Sequence, residues 1–274
     1  MSGLIDFSGK RVVVTGGYSG IGAALVELLC DAGADQIVVL DIKEPQASVA
    51  EFIETDMGNP TSIDAAVARL NADGAPAVDV LFNNAGVAAT LPAETVMRVN
   101  TLGLKRLTER LLPTIASGGA IVNTASVAGN RWPEHLQQIN GLLDTEGWDE
   151  GVSWVAGNAE VVADGYAFSK ECVQVYTMRM AKTATEHRLR INSICPSPVD
   201  TPLLPAFRET MTDEIIDWSI EAGAGRVATP QDQARALIFL GSDMASYVNG
   251  VNLVVDGGFG AALLMGQVAL PNLG

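Results

Sequence analysis

The chain has 274 residues, 48% of them hydrophobic, and its 17 Lys and Arg against 32 Asp and Glu give a net charge of −15. This length and apolar content predict a single domain, residues 1–274, of the α/β class with a well-filled core. The acidic balance argues against nucleic acid and anionic membranes as partners, because both need clustered cations on the protein.

Cysteine and histidine are scarce, which limits the kinds of site that the chain can build. Cys30, Cys172 and Cys195 show no C-x-x-C spacing, so neither a disulfide framework nor a zinc site is indicated. His135 and His187 lack a group of carboxylates at metal-ligand spacing. We therefore expect no metal, and a reducing, cytoplasmic environment.

The two ends of the sequence indicate neither export nor a membrane span. The first ten residues lack a basic start followed by an apolar run, so we expect no signal peptide. After Asp256 the chain carries no charge, but repeated glycines and Pro271 interrupt it too often for a spanning helix. We expect this tail to pack on a subunit interface or over the mouth of an active site.

The first predicted elements are a strand at 11–15 and a helix from residue 23, joined by Gly16-Gly-Tyr-Ser-Gly-Ile-Gly22. Glycines at such a turn let the backbone approach a pyrophosphate, and the amino terminus of the helix faces its charge. A strand, a glycine turn and a helix in this order predict a dinucleotide site.

The next predicted strand, 36–41, ends in Asp41, which lies 19 positions after Gly22. At this spacing a carboxylate accepts hydrogen bonds from the ribose hydroxyls of adenosine. A 2′-phosphate would meet the same negative charge, so the sequence favours NAD over NADP, although Lys43 nearby weakens the preference. The alternative for Asp41 is a turn residue at a strand end.

Strand and helix patterns alternate along the rest of the chain. The further strands are predicted at 52–57, 78–82, 119–126, 189–195 and 251–255. Helices are predicted from Asn59-Pro60, over 93–112 and from Pro230. This alternation predicts a Rossmann fold, a doubly wound parallel sheet with helices on both faces.

Tyr166 and Lys170 lie four residues apart in a segment with a helical pattern, which puts both side chains on one face. An unperturbed tyrosine has a pKa of about 10, so proton transfer near neutrality requires about 4 kcal/mol of differential stabilisation of the phenolate. A neighbouring ammonium stabilises the anion, and the pair suits general acid–base chemistry on an alcohol or carbonyl oxygen. Taken alone, this spacing more often marks an ordinary half-buried helix face.

Several motifs stand together at predicted strand ends: the turn at 15–22, Asn83-Asn-Ala-Gly86, Ser126, and Pro196-Ser-Pro-Val-Asp-Thr201. With Asn100, Tyr166 and Lys170 they resemble the short-chain dehydrogenase/reductase family over nearly the whole chain. Ser197 stands where that family usually has Gly. The resemblance implies a catalytic set of Asn100, Ser126, Tyr166 and Lys170. It implies these cofactor-binding residues: Gly16, Ser19, Gly20, Ile21, Gly22, Asp41, Asp56, Met57, Asn84, Ala85, Gly86, Tyr166, Lys170, Val199 and Thr201.

The resemblance also implies a role for each catalytic residue. Lys170 binds the nicotinamide ribose and lowers the pKa of Tyr166, while Ser126 positions the substrate oxygen. Tyr166 exchanges a proton with that oxygen, and Asn100 supports a water relay from Lys170 to solvent. The alternative for Asn100 is an ordinary residue in the interior of a helix.

Two spacings depart from the common pattern of the family. Ser126 and Tyr166 are 40 positions apart, which is long, and Asn84 and Asn100 are 16 apart, which is short. Both resemble the branch that contains bacterial 3α-hydroxysteroid dehydrogenase/carbonyl reductase and coniferyl-alcohol dehydrogenase. The first spacing implies an insertion at about 130–160. It could form a wall of the substrate cleft, change a subunit contact, or be a surface elaboration without function.

The segment at 203–218 is rich in apolar and aromatic residues and lies where the family has its substrate loop. We therefore expect an NAD-dependent enzyme acting on a bulky hydrophobic alcohol or ketone, such as a hydroxysteroid, a cyclic terpenoid or a coniferyl-type alcohol. The resemblance also implies a homo-oligomer, either a dimer or a tetramer. The alternative function is a dinucleotide-sensing protein that keeps the fold without catalysis.

Overall fold

A parallel sheet organises residues 5–269, the part of the chain that the computed structural model describes. Within these residues, seven strands lie side by side in the order β3-β2-β1-β4-β5-β6-β7, and each neighbouring pair is parallel. The strands are β1 Arg11–Thr15, β2 Gln36–Asp41, β3 Glu51–Glu54, β4 Val78–Asn83, β5 Ile115–Thr124, β6 Arg190–Pro196 and β7 Asn252–Val255. Because the strand order reverses between β1 and β4, a crevice for ligands opens at their carboxyl ends.

The helices within the described residues are α1 Gly20–Asp31, α2 Pro60–Leu70, α3 Ala93–Met97, α4 Leu104–Leu111, α5 Leu136–Leu143, α6 Trp148–Gly157, α7 Ala159–Val162, α8 Tyr166–Glu186, α9 Leu204–Met211, α10 Asp213–Ala222, α11 Pro230–Gly241 and α12 Phe259–Leu264. A π-helical turn, Arg98–Gly103, joins α3 to α4. Short 3-10 turns lie at Leu112–Thr114, Val127–Gly129 and Asp243–Ala245.

Alternation along the strands sends buried side chains into two apolar layers. On β1, Val13 faces the layer that contains α2, α4 and α8, whereas Val12 and Val14 face the layer that contains α1 and α11. Successive residues of a strand point to opposite faces, so a strand buried on both sides is a continuous apolar run. The predicted Rossmann sheet with helices on both faces is confirmed.

Local sequence signals start two helices at the predicted positions. The side chain of Asn59 accepts hydrogen bonds from the backbone of Thr61 and Ser62, and Pro60 is the first residue of α2. Thr229 and Asp232 form a reciprocal capping box at the start of α11. These caps satisfy backbone N–H groups that a helix cannot pair internally.

Several predicted boundaries need correction, among them the start of α1, which is Gly20 instead of residue 23. β3 ends at Glu54 instead of residue 57, and β5 starts at Ile115 instead of residue 119. The helix predicted over 93–112 is interrupted by the π-helical turn. Apolar periodicity predicts that a segment is helical, but it does not specify which carbonyl each N–H bonds, and π turns are often found at functional sites.

A chain of buried polar side chains connects the sheet to α4 and α8. Asn83 Nδ2 donates to Thr108 Oγ1 and to Asn123 Oδ1, both at 2.9 Å. Asn123 Nδ2 donates to Thr177 Oγ1, also at 2.9 Å. All four residues are buried. Such groups need partners because water cannot reach them, so the chain of hydrogen bonds fixes the two helices against β4 and β5.

The carboxyl-terminal tail packs on α10 as far as the structure describes it. Trp218 Nε1 donates to the carbonyl of Ala269 at 3.0 Å, and its ring meets Phe259 edge-on at 5.0 Å. Pro271 lies outside the described residues. Among residues 5–269, no helix is long and apolar enough to cross a bilayer. The same residues contain no group of His, Cys, Asp and Glu that could hold a metal ion.

Candidate active site

The turn between β1 and α1 lies against the end of β4. Gly16 has a φ of +70°, and a Cβ at this position would come within 2.7 Å of the Ala85 Cα. Thr15 Oγ1 accepts from the backbone N–H groups of Asn84 and Ala85, both at 2.9 Å. Only glycine combines this backbone conformation with so close an approach.

The amino terminus of α1 is suited to bind an anion. Ser19 precedes the helix in an extended conformation without a side-chain cap hydrogen bond, and the first turn contains no acidic residue. A Cβ on Gly22 would overlap the carbonyl oxygen of Gly16. Free N–H groups and the helix dipole both favour a phosphate at such a position. The predicted set Gly16, Ser19, Gly20, Ile21 and Gly22 therefore forms a backbone site that fits a pyrophosphate.

Asp41 ends β2 beside this turn. Its Oδ2 accepts from the backbone of Tyr18 at 3.0 Å, and its Oδ1 accepts from the backbone of Lys43 at 3.1 Å. The Lys43 ammonium lies 5.2 Å from the centre of the Tyr18 ring, within the range of a cation–π interaction. The carboxylate thus lies at the crevice, and the ammonium is held over an aromatic face.

Asp56 and Met57 follow β3, the strand next to β2. Asp56 Oδ1 accepts from the backbone of Gly58 at 2.8 Å, and the Asp56 N–H donates to Ser62 Oγ at 3.0 Å. Met57 is buried in the core. Both residues therefore have a structural role before α2, and their contact with adenosine stays a prediction.

Asn84, Ala85 and Gly86 connect the glycine turn to the region of Lys170. Asn84 Nδ2 donates to the Gly16 carbonyl at 3.2 Å. A Cβ on Gly86 would lie 3.6 Å from Lys170 Nζ. The three residues thus lie between the glycine turn and Lys170.

The segment after β6 lies on the other side of the glycine turn. A Cβ on Gly20 would be 3.1 Å from Thr201 Cγ2, and Val199 forms a parallel bridge with Ala228. Ser197, which replaces the usual Gly, is not among the described non-glycine residues with positive φ. Serine therefore fits this turn without backbone strain.

Tyr166 is the first residue of α8, so its phenol and the Lys170 ammonium lie on the first two turns of the helix. Asp164 Oδ1 accepts from the Tyr166 backbone at 2.9 Å. Lys170 Nζ lies 5.9 Å from the centre of the Tyr166 ring and donates to the carbonyl of Thr124 at 2.9 Å. Ser126, just after β5, lies close enough to Tyr166 to influence the pKa of its phenol. The structure therefore brings Ser126, Tyr166 and Lys170 together.

Burial controls the acid–base properties of this cluster. It raises the pKa of Tyr166 to about 12, with Ser126 acting in the opposite direction. Burial also lowers the pKa of Lys170 to about 8. In the absence of a bound cofactor, burial is the larger influence on the phenol, and the role of Lys170 in lowering the Tyr166 pKa stays a prediction. A phenolate near neutral pH requires another positive charge or renewed solvation when ligands bind.

Asn100 lies in the π-helical turn and is buried. Its Oδ1 accepts from the Val87 backbone at 2.9 Å, and its Nδ2 donates to the Val87 carbonyl at 3.0 Å and to Ser169 Oγ at 3.2 Å. The amide thus ties the loop after β4 to α8. Its predicted role in a water relay stays a prediction.

Two contacts of the cluster were not indicated by the sequence, although Phe207 lies in the segment at 203–218 that is predicted to form the substrate loop. The ring of Phe207, on α9, lies 4.9 Å from the ring of Tyr166 at an interplanar angle of 57°. Gln174 Nε2 donates to the carbonyl of Ser126 at 2.9 Å. Gln174 is one helical turn past Lys170, so helical spacing could have identified it. No local pattern indicates the Phe207 contact, because it joins segments far apart in sequence.

The insertion folds into α5, α6 and α7 and packs against α8. Trp154 stacks on Phe168 at 6.0 Å between ring centres, and His135 Nδ1 lies 2.7 Å from Glu171 Oε2. Burial raises the pKa of Glu171, whereas His135 acts to lower it. Phe168 and Glu171 lie on the side of α8 away from Tyr166, by helical geometry. The insertion thus packs against the side of α8 that faces away from Tyr166. Its role as a wall of the substrate cleft or as a subunit contact stays a prediction.

Comparison with known proteins agrees with this geometry. Residues 10–137 match the family described as short chain dehydrogenase, and residues 152–260 match the one described as Enoyl-(Acyl carrier protein) reductase. A coniferyl-alcohol dehydrogenase from Pseudomonas sp. (strain HR199 / DSM 7063) is 35% identical over 258 residues, which cover 93% of this chain and 98% of that protein. The stretch between the two family matches falls within the insertion.

Two solved structures show the same fold with different cofactors. The 3-alpha-hydroxysteroid dehydrogenase from Pseudomonas sp. B-0831 complexed with NADH is 29% identical, with a TM-score of 0.77, covering 95% of this chain and 100% of that one. A short chain dehydrogenase from Burkholderia cenocepacia J2315 in complex with NADP is 25% identical, with a TM-score of 0.69, covering 93% and 99%. The chain belongs to the short-chain dehydrogenase/reductase family of NAD(P)-using oxidoreductases.

Proposed function

We propose that this protein is an NAD-dependent oxidoreductase that interconverts a bulky hydrophobic alcohol, secondary or aryl-allylic, and its carbonyl compound. The observation that carries this proposal is the convergence of Ser126, Tyr166 and Lys170 beside a glycine turn that fits a pyrophosphate. A hydroxyl and a phenol can bind one substrate oxygen from two sides.

The residues of the crevice are suited to bind NAD along the carboxyl ends of the strands. The turn from Gly16 to Gly22 would hold the pyrophosphate, and Asp41 would accept from the adenosine ribose. Bound NAD would supply the hydride acceptor. The other residues in the proposed contact with the cofactor are Asp56, Met57, Asn84, Ala85, Gly86, Tyr166, Lys170, Val199 and Thr201.

The side chains of the cluster have distinct tasks in this proposal. Ser126 Oγ accepts from the backbone of Ala128 at 3.1 Å, and its own proton would be donated to the substrate oxygen when substrate is bound. Tyr166 Oη takes the alcohol proton during oxidation and returns it during reduction. Lys170 would bind the ribose hydroxyls of the cofactor. Asn100 holds the loop after β4 and would support proton exchange with solvent.

The preference for NAD rests on the charge of Asp41. A 2′-phosphate at this position would bring two anions together, and like charges at close range repel. The substrate class rests on the apolar side chains of α9 and α10 and on the names of the relatives, a coniferyl-alcohol dehydrogenase and a 3-alpha-hydroxysteroid dehydrogenase.

The test follows NADH absorbance at mildly alkaline pH. The alcohols are hydroxysteroids, cyclic terpene alcohols, coniferyl-type alcohols and short alkanols, with NADP as the control cofactor. We expect turnover of one bulky class and a preference for NAD. Tyr166→Phe should bind NAD nearly as well as the wild type and lose turnover. Tight NAD binding without turnover of any alcohol would instead favour a dinucleotide sensor.

We also propose that the protein is a homo-oligomer, either a dimer or a tetramer, as the resemblance to the family implies. Leu264 and Met265 on the tail are 80% and 66% exposed, and Val254 on the edge strand β7 is 45% exposed. Exposed apolar side chains of this size are typical of contact surfaces. Light scattering coupled to size-exclusion chromatography measures the mass directly, and a monomer would contradict the proposal. A cytoplasmic location stays a prediction.

A further inference from the structure

The contact between Phe207 and Tyr166 covers the proposed proton donor. The two rings lie 4.9 Å apart, and Tyr166 is only 8% exposed. Helix α9 contains no buried residue, and this aromatic contact joins it to α8. A substrate oxygen that binds Tyr166 and Ser126 must therefore lie close to the ring of Phe207.

Helices α9 and α10 meet at a single residue, Thr212. Between them, Thr212 has φ +69° and ψ 148°, a conformation that residues other than glycine rarely adopt. Arg208 spans this junction and pairs with Asp213 and Asp217, each at 2.7 Å. On the far side of the junction, Trp218 fixes α10 to the tail. Phe207 is thus on α9, which contains no buried residue, whereas α10 is the anchored arm.

We propose that Phe207 is a specificity-determining residue that selects substrates with a flat, unsaturated group beside the carbinol carbon. When a substrate enters, it separates the two rings, and the face that Phe207 presented to Tyr166 becomes available to the substrate. An aryl or vinyl group there restores an aromatic contact, whereas a saturated ring does not. This inference rests on the proposed function and narrows its substrate class to conjugated alcohols and carbonyl compounds.

The test measures binding so that it does not depend on turnover. The NADH-loaded protein is titrated by calorimetry with cinnamamide and with 3-cyclohexylpropanamide. Both amides present a carbonyl oxygen that Tyr166 and Ser126 can bind, and they differ in the flatness and unsaturation of the attached group. In the wild type, we expect cinnamamide to bind more tightly.

Phe207→Leu keeps apolar volume and removes the aromatic face, so we expect the affinity ratio of the two amides to fall by about 2- to 13-fold. Phe207→Tyr should retain the ratio. Phe259→Leu is the matched control, since Phe259 contacts Trp218 on the anchored arm and its replacement should leave the ratio unchanged. Circular dichroism and melting curves verify that each variant is folded.

An unchanged ratio in Phe207→Leu would overturn the inference, and so would failure of both amides to bind the wild type. A parallel assay of NADH formation from cinnamyl alcohol tests the proposed reaction separately. Discrimination that depends on Phe207 without any oxidation of alcohols would support the role of Phe207 and contradict the proposed function.

Discussion

The buried ammonium of Lys170 should make the stability of the protein depend on pH. Burial lowers its pKa from 10.5 in an exposed lysine to about 8 in the folded protein. Between these values the unfolded chain binds more protons than the folded one, so stability rises as pH increases. Below about pH 8 the folded protein keeps Lys170 protonated, so the full cost of burying the ammonium lowers the free energy of unfolding. From about pH 7 to about pH 9.5, this linkage adds about 2 kcal/mol to the free energy of unfolding.

Lys170→Met removes the titrating group and keeps a long side chain. Urea unfolding followed by tryptophan fluorescence gives the free energy of unfolding of both proteins at the two pH values. The difference between wild type and variant should change by about 2 kcal/mol. The subtraction cancels Tyr166 and Cys195, whose raised pKa values act in the opposite sense and reduce stability at high pH. If both proteins respond equally to pH, the buried ammonium is not the source of the effect.

Three further substitutions test other parts of the site and its support. Asp41→Ser removes the carboxylate beside the glycine turn, so the kcat/KM ratio of NAD to NADP should fall by about tenfold or more, and an unchanged ratio would place adenosine elsewhere. Gly22→Ala forces an overlap with backbone and should weaken NAD binding in a fluorescence titration by about 1–3 kcal/mol; Gly157→Ala, with open space around it, is the control. His135→Ala leaves the buried carboxylate of Glu171 without its partner and should lower the free energy of unfolding by about 1–3 kcal/mol. His187→Ala, just after α8, is the control and should have little effect on the free energy of unfolding. Equal losses of stability in both variants would contradict the importance of the pair between His135 and Glu171.

The sequence was informative where local chemistry decides the structure. The β-branched run at 11–15 can form a buried strand, and the glycines after it allow the close approach to Ala85. Asp41 could be placed at the crevice because the carboxyl ends of parallel strands share one edge of the sheet. The four-residue step from Tyr166 to Lys170 needed only the helical repeat.

Other features depend on contacts between distant segments, so no local pattern reveals them. The pKa of Tyr166 follows from how much water its surroundings exclude, and Phe207 contributes to that exclusion from a different helix. The partner of Glu171 comes from the insertion, 36 positions earlier in the chain. The π-helical turn at Asn100 likewise reflects tertiary hydrogen bonds with Val87 and Ser169.

The buried hydrogen bonds between Asn83, Asn123 and Thr177 fix the position of α8 along the sheet. Apolar side chains tolerate small sliding movements, but an amide and a hydroxyl in the core lose their bond when either moves by about an ångström. Thr177 lies about three helical turns past Tyr166, on the same face. The position of the phenol above the sheet is therefore set by polar contacts remote from it. A Thr177→Val variant should displace Tyr166 from Ser126 without changing the identity of any residue of the site.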